Sequence, residues 1–164
     1  MPHRYEEKWL EAVVRQEELL VFGRFCREDA LALGLKIAEL AKTKYANVGI
    51  RILSDDFVTF TYMMEGSSMY NGWWMDKKLN VSRRTGVSSL RAALEFAYGV
   101  RPKEPWTENE NNYALVGGCV PVRLKSGEIA GYALISALPH EQDHQLVADA
   151  MADILGVGIP GILE

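Results

Sequence analysis

Cys119-Val120-Pro121-Val122-Arg123-Leu124-Lys125-Ser126-Gly127-Glu128-Ile129-Ala130-Gly131-Tyr132-Ala133-Leu134-Ile135-Ser136 decides the fold. A strand-like run, Tyr113–Leu124, is interrupted by Gly117-Gly118. Lys125–Glu128 then turns the chain into a second strand, Ile129–Ser136. The same pattern stands upstream. Val48–Leu53 alternates apolar and polar, Phe57–Met64 is rich in aromatic, β-branched and Thr residues, and Ser54-Asp55-Asp56 joins them as a hairpin. Helical spacing of apolar residues predicts helices over 5–20, 28–44, about 73–84, 88–98 and from Pro139 to about Leu155. A short strand is expected over 20–25, and loops over 65–72 and 99–112. Strands joined by hairpins favour an antiparallel β-sheet covered by helices. The fold class is α+β rather than a parallel doubly wound sheet.

Length and charge narrow the function. A chain of 164 residues suggests one domain, here taken as 1–164, with an N-terminal helix and a short apolar C-terminal tail. Such a chain buries about 70% of the surface its unfolded form exposes and needs no disulfide or metal staple. The net charge of −4 is a poor match to sequence-independent nucleic-acid binding, which rests on Lys and Arg. No apolar run approaches the ~20 residues that span a bilayer, and the N-terminus lacks the apolar core of a signal peptide. Cys26 and Cys119 read as buried small hydrophobes. The expected setting is cytoplasmic.

Three groups of residues bear on chemistry. His140-Glu141-Gln142-Asp143-His144 matches H-E-x-x-H. Projected at 100° per residue, His140, Asp143 and His144 face inward with Leu146, Val147 and Met151. The motif sits in the first helical turn, and no third His follows, so no zinc site is expected. The same residues serve equally as caps and partners for nearby backbone. Gly117-Gly118 at a strand start fits either a bulge or close approach of another group. Ser88 or Ser89 caps a helix whose exposed N–H groups suit an anion, with Lys77, Lys78, Arg83 and Arg84 nearby.

Taken together, Gly117–Val122, Ser126–Ser136, Leu138-Pro139 and Glu141-x-Asp143-His144-x-Leu146-Val147 resemble the GlcG/HbpS-like superfamily, often labelled haem-degrading. Ala30–Leu35, Trp74-x-x-Lys77-Lys78 and Ser88-Ser89 resemble an uncharacterised fungal and bacterial branch of it. The resemblance covers about residues 20 to 155. It departs at Ala137, where the pattern has Gly, at Cys119-Val120, and at His140, where Gln is common. It implies a profilin-like sandwich and a homo-oligomer built from dimers. It also implies a small-molecule ligand, nominally haem or another tetrapyrrole.

On that resemblance the ligand-binding residues are Lys77, Ser88, Ser89, Gly117, Gly118, Asp143 and His144. His144 is the candidate haem-iron ligand, and Lys77 pairs with a propionate. A rival expectation is an enzyme acting on a small anionic metabolite, with His144 as acid/base oriented by Asp143. A third is a scaffold that binds a partner protein. Trp73, Trp74, Trp106 and the tail Ile159–Leu163 are expected to supply apolar surface for assembly.

Overall fold

The computed structural model describes residues 3–163. The elements run α1 (Lys8–Leu19), β1 (Val21–Phe22), α2 (Arg27–Lys44), β2 (Gly49–Ser54), β3 (Phe57–Met63), α3 (Met69–Thr85), α4 (Ser89–Ala97), a 3-10 turn over Pro105–Glu108, β4 (Cys119–Leu124), β5 (Ile129–Ser136) and α5 (His140–Leu155). The sheet order is β1-β4-β5-β2-β3. Both expected hairpins form, and β2 pairs with β5 antiparallel from Gly49↔Ser136 to Ser54↔Gly131, which joins them into one sheet. The β2–β3 turn has positive φ at both Asp55 and Asp56, the two-residue hairpin geometry whose twist matches the strands.

Several expectations are corrected. The sheet is mixed, because the two-residue strand β1 runs parallel to β4, with Val21 opposite Arg123. Helix α3 starts four residues early. Ser68 Oγ accepts from the Tyr70 amide and Asn71 Oδ1 accepts from the Ser68 amide, a capping box inside the stretch read as loop. Strand β4 starts six residues late, after turns over 109–113 and a positive φ at Gly118, whose carbonyl already accepts from the Ile135 amide. Cys26 is exposed at the N-cap of α2, and only Cys119 is buried.

The two faces of the sheet are covered differently. On one, α2 and α5 pack Leu33, Ile37, Leu146 and Met151 on Ile50, Ile52, Val122 and Ile135. Gly34 lies mid-helix in α2, where a Cβ would fall 2.3 Å from the Phe60 ring, so the strand side chain occupies the space a larger residue would need. On the other face, α3 packs Met75 and Leu79 on Leu53, Cys119 and Leu134. The tail packs on its own domain: Ile162 is buried with Trp9, Val13, Leu90 and Leu94. Trp106 is also buried, against Phe96 and Tyr113. Trp106 and Ile162 therefore supply none of the outer apolar surface expected of them; Trp73 and Leu163 remain exposed.

Candidate functional site

The end of β5, the start of α5 and one face of α3 meet at a single place. Asn71, Trp74 and Lys78 stand three and four residues apart on α3, so they share that face. Lys78 is 2% exposed, and its Nζ donates to Asp143 Oδ2 at 2.8 Å and to the Ile135 carbonyl at 3.0 Å. Asp143 Oδ1 accepts from the Leu138 amide at 3.1 Å, so one carboxylate ties the β5–α5 link to α3. Burial pushes its carboxyl up to about 6, against the pull of the Lys78 ammonium and the amide donors. Ala137, between β5 and α5, has φ 149°, a conformation that favours glycine.

The two consecutive glycines make this assembly possible. A Cβ on Gly118, at φ 129°, would fall 2.6 Å from Lys78 Nζ and 2.7 Å from the Ile135 oxygen. A Cβ on Gly117 would fall 2.3 Å from the His140 carbonyl oxygen. The glycine pair lets β4 approach the buried lysine and α5 closely.

Above the Lys78–Asp143 pair lies a cavity of about 240 Å³, walled by Tyr70, Trp74, Ser136 and His140 and by apolar Leu138 and Pro139. Tyr70 and Trp74 meet edge to face, with ring centroids 6.1 Å apart. His3 and Trp74 also border an adjoining groove of about 540 Å³ that contains Lys77, whose Nζ lies 5.4 Å from the Trp74 ring.

The two histidines of the H-E-x-x-H stretch turn to different partners. His140 Nδ1 accepts from the Gly117 amide at 3.0 Å, so Nε2 carries the proton and donates to the Arg4 carbonyl at 2.6 Å. Burial pulls its pKa down. His144 is 1% exposed. Gln16 Nε2 donates to Gln145 Oε1 and to the Pro160 carbonyl, which leaves Gln16 Oε1 to accept from His144 Nε2 at 2.8 Å. His144 Nδ1 is buried with no hydrogen-bond partner among the described residues. Burial pulls its pKa down to about 3. Such an imidazole stays neutral near pH 7 and does not reach the cavity.

The expected site residues are therefore dispersed. Asp143 borders the cavity, and Lys77 borders the adjoining groove. His144 lies behind Asp143, in a polar network that fastens α5 to α1 and the tail. Ser88 is the N-cap of α4 and accepts from the Arg91 amide, while Ser89 Oγ accepts from the Cys119 amide; both are fully buried, away from the cavity. Gly117 and Gly118 shape the assembly without lining the opening. Sequence reasoning passed over Lys78, Tyr70, Trp74 and Ser136 as a group. The i, i+4 spacing of Trp74 and Lys78 was the available signal.

The family model for haem degrading proteins of the HbpS-like type matches residues 25–152. This chain belongs to the HbpS-like family. Within that match lie both glycines, the Lys78–Asp143 pair and the start of α5. A UPF0303 protein from Brucella anthropi is 34% identical over 145 residues, covering 88% of this chain and 86% of the relative. The crystal structure of Ybr137w protein superposes with a TM-score of 0.79 at 24% identity, over 90% of this chain and 88% of that one. The crystal structure of a PduOC:haem complex superposes with a TM-score of 0.63 at 18% identity, over 83% and 96%. At these identities the two structures show that the fold is shared.

Proposed function

We propose that this HbpS-like chain is a small-ligand-binding protein whose site is the cavity between α3 and α5, with haem or a related tetrapyrrole as its ligand. The observation that carries the reading is a fully buried ammonium, Lys78, on the wall of a cavity whose other wall is aromatic. A flat, apolar, carboxylate-bearing molecule answers to both walls. The cavity alone is smaller than the ~300–1,000 Å³ of drug-sized sites, so the ligand extends past Trp74 into the adjoining groove, where Lys77 meets a propionate. The PduOC:haem complex shares the fold, which supports the choice of ligand.

The residues fit the organic part of haem and one route to the iron. His144 is enclosed, and both His140 nitrogens are engaged. His3 is exposed between cavity and groove, with its ring 6.1 Å from Trp74, and is the histidine that would hold an iron. Haem, when bound, supplies redox and oxygen chemistry through that iron. This chain's residues bind, orient and shield it. The protein works in the cytoplasm; no helix of the described residues is long and apolar enough to cross a membrane. It works as a homo-oligomer, for which exposed Met69 and Trp73 on α3 and Phe57 and Val58 on the edge strand β3 offer apolar surface; a monomeric mass by light scattering at micromolar concentration contradicts the assembly.

Haemin titration followed by the Soret band tests the site. Wild type should saturate at one equivalent per chain. Trp74→Ala should weaken binding at least about tenfold, a loss of ~1.4 kcal/mol, and His3→Ala should shift the Soret maximum. Absence of saturation, or a Trp74→Ala variant that binds like wild type, contradicts the proposal.

A further inference from the structure

The polar groups around the cavity are committed in one direction. The Asp143 oxygens receive the Lys78 ammonium and the Leu138 amide, and the Ile135 carbonyl receives the second Lys78 N–H. An ammonium has three N–H donors and no acceptor. The third has no acceptor among the described residues. Asn71 Oδ1 accepts from the Ser68 amide, and Asn71 Nδ2 donates to Ser136 Oγ at 3.3 Å. Ser136 is thereby an acceptor to Asn71 and keeps its own hydroxyl proton to give. Along the part of the wall made by α3, β5 and α5, the Asp143, Ile135 and Asn71 oxygens are engaged, and donors on Lys78 and Ser136 are left over. The charge balance agrees. Lys78 and Asp143 cancel, and the N-terminus of the 16-residue helix α5 adds a partial positive charge at Leu138–His140.

From this we infer that the cavity recognises a carboxylate: the spare Lys78 N–H and the Ser136 hydroxyl take its oxygens, while Tyr70 and Trp74 hold the flat unsaturated body to which it is attached. The inference rests on the proposed ligand site and names the chemical class that site selects. The carboxylate belongs either to a free aromatic acid or to the side chain of a tetrapyrrole. The volume of about 240 Å³ suits a single ring with its carboxylate, or one edge of a larger ligand.

Esters separate the sources and the claims. Calorimetric titrations of the full chain use benzoate against methyl benzoate, and metal-free mesoporphyrin against its dimethyl ester, beside the haemin titration. Hydrogen bonds to a charged acceptor are about twice as strong as neutral ones; each acid should therefore bind at least about tenfold more tightly than its ester. Ser136→Ala removes one neutral donor and should weaken the acids about three- to tenfold, with the melting temperature held within a few degrees. Lys78→Met alone leaves Asp143 buried and unpaired, so Lys78→Met is combined with Asp143→Leu. That double variant should lose the preference for acid over ester. Tight benzoate with weak mesoporphyrin assigns the site to a free acid; preference in the porphyrin pair alone assigns it to a tetrapyrrole. Esters that bind as well as acids in both pairs overturn the carboxylate inference, while haemin binding continues to support the proposed function. Benzoate binding without haemin binding overturns the tetrapyrrole reading and supports the inference. No binding by any probe overturns both.

Discussion

The two faces of the sheet are built on different principles. Under α2 and α5 the contacts are between aliphatic side chains, and stability there follows the apolar area removed from water. Under α3 the apolar cluster is small, and beside it stand a buried lysine, a buried aspartate and a cavity. The first face holds the fold; the second carries polar groups that fix geometry at a cost in desolvation. A buried ion pair is weak evidence for stability but strong evidence that removing one partner is expensive. The proposed ligand site lies on the α3 side, where the chain tolerates polar burial and leaves space.

Breaking the pair should have the largest effect. Lys78→Met leaves the Asp143 carboxylate without its cation and should lower the free energy of unfolding by about 3–5 kcal/mol. Adding Asp143→Leu should recover much of that loss. Urea denaturation of the three proteins checks both statements, and a single variant as stable as wild type would erase the distinction between the faces. The comparison on the other face is Ile50→Ala. It deletes fully buried aliphatic volume and should cost about 2–5 kcal/mol, with no compensating partner substitution and with haemin affinity unchanged in the folded protein.

A smaller effect comes from His144→Asn. Removing the imidazole from the Gln16 network should cost about 1–3 kcal/mol at pH 7 and leave ligand affinity unaltered. It should also change the acid response. The folded state holds His144 at about 3, below its ordinary 6.5, so its contribution is fully present above pH 6.5 and is lost as pH falls toward 3. His140 is shifted in the same direction. Asp143 acts oppositely. With its folded pKa raised to about 6, its contribution is present below about 3.8 and is lost as pH rises through 6. Unfolding free energies measured between pH 7 and 5 should therefore fall less steeply in His144→Asn than in wild type. Equal slopes would remove His144 as the source.

The α2–α5 face was readable because periodicity reports burial directly: the stripe Ala30, Leu33, Ile37 and Ala41 is the buried stripe of α2. Both hairpins were readable from alternation and turn residues. The inward facing of His140, Asp143 and His144 was readable from the helical wheel, and all three are buried. Which way each imidazole turns was not. That depends on Gln16, Arg4 and Pro160, whose sequence separations from the histidines leave no local signal. Lys78 was legible only as positive charge near an anion site, and its burial was not, because a Lys-Lys pair on a helix reads as solvated surface. Its burial is made possible by Gly118, forty positions away, and by an aspartate on another helix. The parallel run of β1 along β4 was not legible either, because a two-residue strand carries no pattern.

The central claim is that ligand enters beside Trp74 and Lys78 and not at His144. Indole N–H resonances of the four tryptophans give the most direct test. Trp74 lines the cavity, whereas Trp106 is buried against Phe96 and Tyr113. Titration with metal-free mesoporphyrin should move or broaden the Trp74 indole signal in proportion to occupancy, and leave that of Trp106 in place. It should do the same in His144→Asn. Saturable binding that leaves Trp74 unmoved, or that vanishes with His144, would contradict the account.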